Sequence, residues 1–277
     1  MRLLKEFQFV VASPPAARFN RNQWAIGILC LIVLAFLVVP LPLYDKLWGI
    51  AYGICPQRPG HSLFFGDVQM PIEAREGGMF AGFLLGAIYL IVLGRGTARN
   101  LPPRRTLALL VGFVVLMGID GLNAVAYDLY LPTPYTPNLY MRSGTGLLTG
   151  LALAGIMVPI FNQSIWQKSK QVASFSSWRE VGLALMLFAI FWAIGLSGWQ
   201  PLLYPISVIA IMGQVILMVS IGAMLTAILL RREGQVRDVT ELAALILVGL
   251  IAVMIMLGAA SAVRYGLFGP GSIPAWR

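Results

Sequence analysis

Short basic stretches alternate with long apolar runs along this chain, and that alternation dictates a membrane fold. Stretches 1–21, 94–105, 162–180 and 231–241 hold Arg2, Lys5, Arg18 and Arg21; Arg95, Arg99, Arg104 and Arg105; Lys168, Lys170 and Arg179; and Arg231, Arg232 and Arg237. The segments facing the other way keep only Lys46, Arg58, Arg75, Arg142, Arg264 and Arg277. Short basic loops stay on the cytoplasmic side of a membrane, so the pattern predicts an orientation as well as a fold. The formal charge of +9 arises at the inner face, because Asp45, Asp67, Glu73, Glu76, Asp120 and Asp128 balance the outer bases.

A composition of 58% apolar and 11% charged residues cannot clothe a soluble surface, which carries about twice that charge. The basic residues are spread over inner loops rather than gathered in a groove with stacking aromatics. Attraction to anionic lipid therefore explains them, and nucleic acid is not an expected partner. Cys30 lies inside the first apolar run and Cys55 beyond its outer end, too far apart for a mutual disulfide. The run Phe7 to Val11 is too short for a cleavable signal and is followed by Pro14-Pro15. Leu3, Leu4, Phe7 and Val11 instead suit one face of a short interfacial helix.

Crossing the hydrocarbon core takes about 20 apolar residues. Such runs occur at 24–43, 77–94, 106–127, 143–161, 181–199, 205–230 and 242–266. The expected architecture is an all-α integral membrane protein of about seven transmembrane helices, N-terminus inside and C-terminus outside. Trp24, Trp166 and Trp178 mark the inner interface; Tyr44, Trp48, Tyr127, Tyr130, Trp199, Tyr204 and Trp276 mark the outer one. Arg264, near the outer end of the last run, can snorkel to that interface. Four segments follow: a cytoplasmic interfacial segment 1–22, a four-helix membrane domain 23–161, a basic cytoplasmic loop 162–180, and a three-helix extension 181–277.

The longest outer connection, 44–76, contains Leu47-Trp-Gly-Ile-Ala-Tyr-Gly-Ile54, too short to span and expected to be interfacial or partly re-entrant. The 127–142 connection is stiffened by Pro132, Pro134 and Pro137. Gly78, Gly82 and Gly86 on the second span, with Gly146, Gly150 and Ala154 on the fourth, form ridges at four-residue spacing. Small-residue ridges let helix backbones approach, so these two spans are expected to pack together.

Ionisable residues inside a membrane are costly, and here they concentrate in the outer half. Asp120 and Asn123 lie one turn apart on the third span, and Gln214 about two turns inside the sixth. Arg142 and Arg264 lie near outer ends, while Glu73 and Glu76 precede the second span. The structural reading pairs Asp120 with Arg142 across adjacent helices; the functional one makes Asp120 catalytic or substrate-contacting. Pro71 suits a first helical turn, which would set Glu73 and Glu76 on one face near the positive end of the helix dipole. The two acids then either stabilise a helix start or bind a cation. With Cys55 or His61 they could hold Zn²⁺; alone they would favour a harder divalent ion.

The stretch Ile54-Cys-Pro-Gln-Arg-Pro-Gly-His-Ser62, then Gly66, then Pro71-Ile-Glu-Ala-Arg-Glu-Gly-Gly78-Met-Phe-Ala-Gly82, resembles a family of prokaryotic membrane proteins, the domain of unknown function 2085. That family's pattern reads approximately C-H-Q-x-x-x-R-S, then P-x-C-x-R-C-x-G-x-Y-x-G. Asp120-Gly121, Asn138-Leu-Tyr-Met-Arg142, Gly146 and Gly150 resemble its second block, so the likeness covers about 50–155. The chain departs from the pattern at Pro56, at Glu73 and Glu76 in the place of two cysteines, and at His61 in the place of an arginine. The resemblance implies a Cys/His/Cys/Cys metal site in typical members, of which Cys55 remains. Either carboxylates have replaced the thiolates or metal binding is lost, and loss suits the change of donor better.

His61 is the only histidine, which excludes a bis-His haem within the chain and argues against any His-ligated haem. No Walker-type loop, G-x-S-x-G elbow or H-E-x-x-H motif occurs. Three readings remain. The first is a non-catalytic scaffold or accessory subunit of a complex in a bacterial or archaeal cytoplasmic membrane, in contact with lipids and other membrane subunits. The second is a membrane-interface enzyme acting on a lipid or prenyl-type substrate through a carboxylate or metal site. The third is a small-solute or ion transporter. Candidate catalytic residues are Glu73, Glu76 and Asp120; candidate contact residues are Arg75, Arg142, Asn123 and Gln57; candidate metal ligands are Cys55, Glu73 and Glu76.

Overall fold

The computed structural model describes residues 23–269. The expected interfacial helix of 1–22, its four bases, Trp276 and Arg277 lie outside the described residues. The described residues are mainly helical, running α1 (Gln23–Val38), α2 (Leu43–Tyr52), a hairpin of β1 (Phe64–Phe65) and β2 (Val68–Gln69), α3 (Ala74–Val92), β3 (Ala98–Asn100) and α4 (Arg104–Asp128). The chain continues through α5 (Leu139–Ile165), β4 (Lys170–Ala173), α6 (Trp178–Leu196), α7 (Leu203–Leu229) and α8 (Val239–Phe268). Among the described residues, six helices, α3 to α8, are long and apolar enough to cross a membrane. Their outer faces carry large exposed apolar side chains such as Ile91, Val115, Leu122, Ile190 and Ile255, an apolar surface suited to a membrane.

The first apolar run is shorter as a helix than as a stretch of sequence. Pro40 and Pro42 cannot continue a helix, so α1 stops at Val38 after 16 residues, about 24 Å of rise against a core of about 30 Å. The stretch expected to be interfacial forms α2. Its buried Tyr44, Leu47, Trp48 and Ala51 belong to one core cluster with Phe80 of α3 and Ile206, Ala210 and Ile211 of α7. Helix α7 therefore shares a core with the segment before it. Asp238 starts α8 by accepting from the backbone N–H groups of Thr240 and Glu241, and the Glu241 carboxylate returns to Arg237 N–H.

Helix α3 lies against α5 along the glycine ridges. A Cβ added at Gly78 would meet the Ser143 carbonyl; one at Gly82, the Leu147 carbonyl; one at Gly146, the Arg75 carbonyl; and one at Gly150, the Met79 carbonyl. Gly86 faces the Ala154 methyl. Two further crossings were not evident from spacing: Gly213 of α7 against the Phe80 carbonyl, and Gly222 of α7 against Gly249 of α8.

The basic loops 94–105, 162–180 and 231–241 meet at one end of the bundle. Strand β3 pairs in parallel with β4, and Trp166 bridges Val236. Asn162 donates to the carbonyls of Gly96 and Ala98, and Arg95 ion-pairs with Glu180 at 2.8 Å. The opposite end holds α2, the β1–β2 hairpin, the proline-rich 127–142 connection and the polar residues.

Candidate functional site

Glu73 is the N-cap of α3 and has extended backbone, so Pro71 lies before the helix and not in its first turn as expected. The Glu73 carboxylate makes no cap to its own helix. It turns to the preceding loop, where Oε1 accepts from Arg58 N–H at 3.0 Å and Arg58 Nε at 3.2 Å, and Oε2 lies 3.3 Å from His61 Nδ1. Arg58 also reaches Asp128 at the end of α4, at 3.4 Å. One buried acid thus ties the 55–62 loop to α3.

Asp120 does not pair with Arg142. It is 2% exposed and forms its ion pair with Arg75 of α3, whose Nη2 also donates to the Asp120 carbonyl at 3.3 Å. The physical reason is lateral: Gly146 brings the Arg75 backbone onto α5, and Gly121 leaves room beside the guanidinium. The second oxygen of Asp120 accepts from Tyr135 O–H at 2.8 Å, and Asn123 Nδ2 donates to the Tyr135 carbonyl at 3.0 Å. Burial and the bond to Asp120 raise the Tyr135 pKa, so its hydroxyl keeps its proton.

Arg142 is 5% exposed and faces His61, with Nη1 3.1 Å from Nδ1 and Nη2 3.4 Å from Nε2. Arginine has only donors, so a neutral imidazole must supply the lone pair. Burial lowers the His61 pKa, the charges of Arg142 and Arg58 lower it further, and Glu73 opposes them. His61 is therefore neutral at pH 7, standing between Glu73 and Arg142.

Arg264, near the end of α8, clamps the loop that follows α2. Its Nη1 donates to the carbonyls of Tyr52 (2.9 Å) and Cys55 (2.6 Å), its Nη2 to that of Pro56 (2.6 Å), and its guanidinium lies 4.1 Å from the Tyr52 ring centroid. Gln57 follows with φ +57°, costly for a residue with a Cβ. It is held there by bonds from its Nε2 to the carbonyls of Trp48 and Pro71, and by Gln69 Nε2 donating to its own carbonyl. Gln214 is fully buried and donates to the Ile50 carbonyl at 3.3 Å, joining α7 to α2.

Cys55 is buried, and its sulfur accepts the Glu73 N–H at 3.2 Å. Burial pushes its thiol up to about 12, so it is protonated. Cys30 and Cys55 are both free. Among the described residues no three His, Cys, Asp or Glu side chains converge as metal ligands. Glu76 contributes a buried Oε2 with no partner, and Arg75 Nε and Asn123 Oδ1 are likewise unsatisfied. These atoms mark a polar interior where α3 and α4 meet the loops. The sequence singled out most members of this network but not Arg58 or Tyr135. Tyr135 sits among prolines in a loop, where no periodicity identifies what it touches.

A cleft of about 660 Å³ opens beside this network, walled by His61, Tyr127, Asp128, Asn138, Tyr140 and Arg142 among others. Residues 55–156 match the model of the family described as Predicted membrane protein (DUF2085), the segment that holds the glycine ridges and nearly all of the network. Comparison with curated proteins and with solved structures gave no match.

Proposed function

We propose that this is a non-catalytic scaffold or accessory subunit of a complex in the cytoplasmic membrane of a bacterium or archaeon. In this reading the chain crosses seven times, with α1 as a short first span, the N-terminus and basic loops inside, and the C-terminus outside. The distribution of charge between the loops supports that orientation. The observation that carries the scaffold reading is the engagement of the candidate catalytic acids. Glu73 is taken by Arg58 and His61, and Asp120 by Arg75 and Tyr135. Carboxylates so engaged brace helices and loops and have little freedom to exchange protons with a substrate.

Affinity purification of the tagged chain from its native membranes in mild detergent tests this. Stoichiometric co-purifying membrane subunits are expected, and a monodisperse single chain would overturn the proposal. The unpartnered Oε2 of Glu76 favours a second reading, an interface enzyme acting on a lipid or prenyl-type substrate. Loss of cellular function in Glu76→Gln with normal folding and unchanged co-purification would favour that enzyme.

A further inference from the structure

The Arg142 cleft and an apolar groove on the α5–α6 seam are walled by the same pair of helices. Arg142 has no carboxylate within ion-pair distance among the described residues; its neighbour is the neutral His61. Two of its N–H groups face the imidazole, which leaves donors of its five for another acceptor. Asp128, the acid on the cleft wall, is offset by Arg58 at 3.4 Å. Glu76, the acid of the network outside an ion pair, does not line this cleft. Tyr127 and Tyr140 are exposed at the rim, as expected of aromatic residues at the headgroup level.

Further along the same pair of helices lies an apolar groove of about 250 Å³, lined by Gly144, Leu148, Phe188 and Trp192 among others. Helices α5 and α6 run antiparallel. Arg142 on α5 and Leu196 on α6 wall the cleft, while Leu148 and Phe188 wall the groove. Six residues separate Arg142 from Leu148, about 9 Å of helix rise. Between the two sites, Trp192 Nε1 donates to Ser143 Oγ at 3.0 Å, which leaves the apolar face of the indole along the groove. A cation at one level and an apolar groove about 9 Å along the same helices match a ligand with a negative head and a hydrocarbon tail.

We infer that this site binds one anionic membrane phospholipid, its headgroup phosphate on Arg142 and one acyl chain along the α5–α6 seam. The inference goes beyond the scaffold reading, and partner capture does not decide it. Native mass spectrometry of the delipidated full-length protein, titrated with phosphatidylglycerol or phosphatidylcholine, provides the test. One phosphatidylglycerol is expected to be retained, about tenfold or more tighter than phosphatidylcholine, and Arg142→Gln should weaken it by a similar factor. Ala189→Trp fills the groove without touching the polar network, so it keeps the test decisive if Arg142→Gln does not fold. It too should weaken phosphatidylglycerol binding. Equal binding of the two lipids, or wild-type binding by a folded Arg142→Gln or Ala189→Trp protein, would overturn the inference. So would thermal stabilisation by inorganic phosphate equal to that by phosphatidylglycerol, which would assign the site to a free anion.

Discussion

Arg75 on α3 and Asp120 on α4 form a largely buried ion pair that ties together two helices whose main packing is with α5, not with one another. The pair is completed by Tyr135 from the proline-rich connection. Removing one member of a buried pair costs about 3–5 kcal/mol, because the other charge is left desolvated. Asp120→Asn should therefore lower thermal stability in detergent sharply. A double-mutant cycle should find strong coupling between Arg75 and Asp120 and clearly weaker coupling between Arg142 and Asp120, which share no direct contact. The reverse result would refute the assignment.

Glycines on α3 and α5 make a second prediction. Gly150→Leu would drive a side chain into the backbone of Met79 and Phe83, whereas Gly112→Leu on α4 projects into open space. Size-exclusion profiles of tagged variants should show Gly150→Leu aggregated or absent and Gly112→Leu indistinguishable from the parent. Equal behaviour of the two would mean that α3 and α5 do not meet as described.

His61 makes stability depend on pH. Its folded pKa lies below the ordinary 6.5, so on acidification the unfolded chain takes up this proton first. The stability present above pH 6.5 falls as pH drops from there through the depressed folded value. An imidazolium would also lose its lone pair for Arg142. Melting temperatures recorded from pH 7.5 to 5.5 should decline, and His61→Gln should decline less steeply. Identical slopes would remove His61 as the titrating group.

Cys55 should be chemically silent in the native protein. It is buried, protonated and bonded to the Glu73 amide, and the Arg264 clamp covers the loop that carries it. A water-soluble maleimide at pH 7.5 should not label it, while Arg264→Ala should expose it and raise the labelling rate about tenfold or more by permitting local opening. Rapid labelling of the parent chain would contradict this burial.

The apolar runs and glycine ridges were legible in the sequence because both are periodic and local. Six runs became helices long enough to cross a membrane, and the ridges of α3 and α5 lie against one another. The resemblance read from 54–82 and 120–150 falls, but for residue 54, within the segment that matches the family, 55–156. The partner of Asp120 was not legible. Arg75 and Arg142 stand at the same depth, and only the lateral arrangement of α3, α4 and α5 selects between them. The partners of Arg264 were not legible for a related reason: only the packing of α8 beside the 52–56 loop brings its guanidinium to the carbonyls of Tyr52, Cys55 and Pro56.

The contact of α3 with α5 runs from main chain to main chain, so it contains almost no rotatable bonds. Where side chains meet, a substitution can be absorbed by groups that turn; along the carbonyl-facing glycines of this line there is little that can turn. The two helices behave as a single double-stemmed post, and its end presents Arg75 and Glu76 from one stem and Arg142 from the other. The spacing of those charges is set by backbone geometry, so sequence can drift on the lipid-facing surfaces without detuning the polar end.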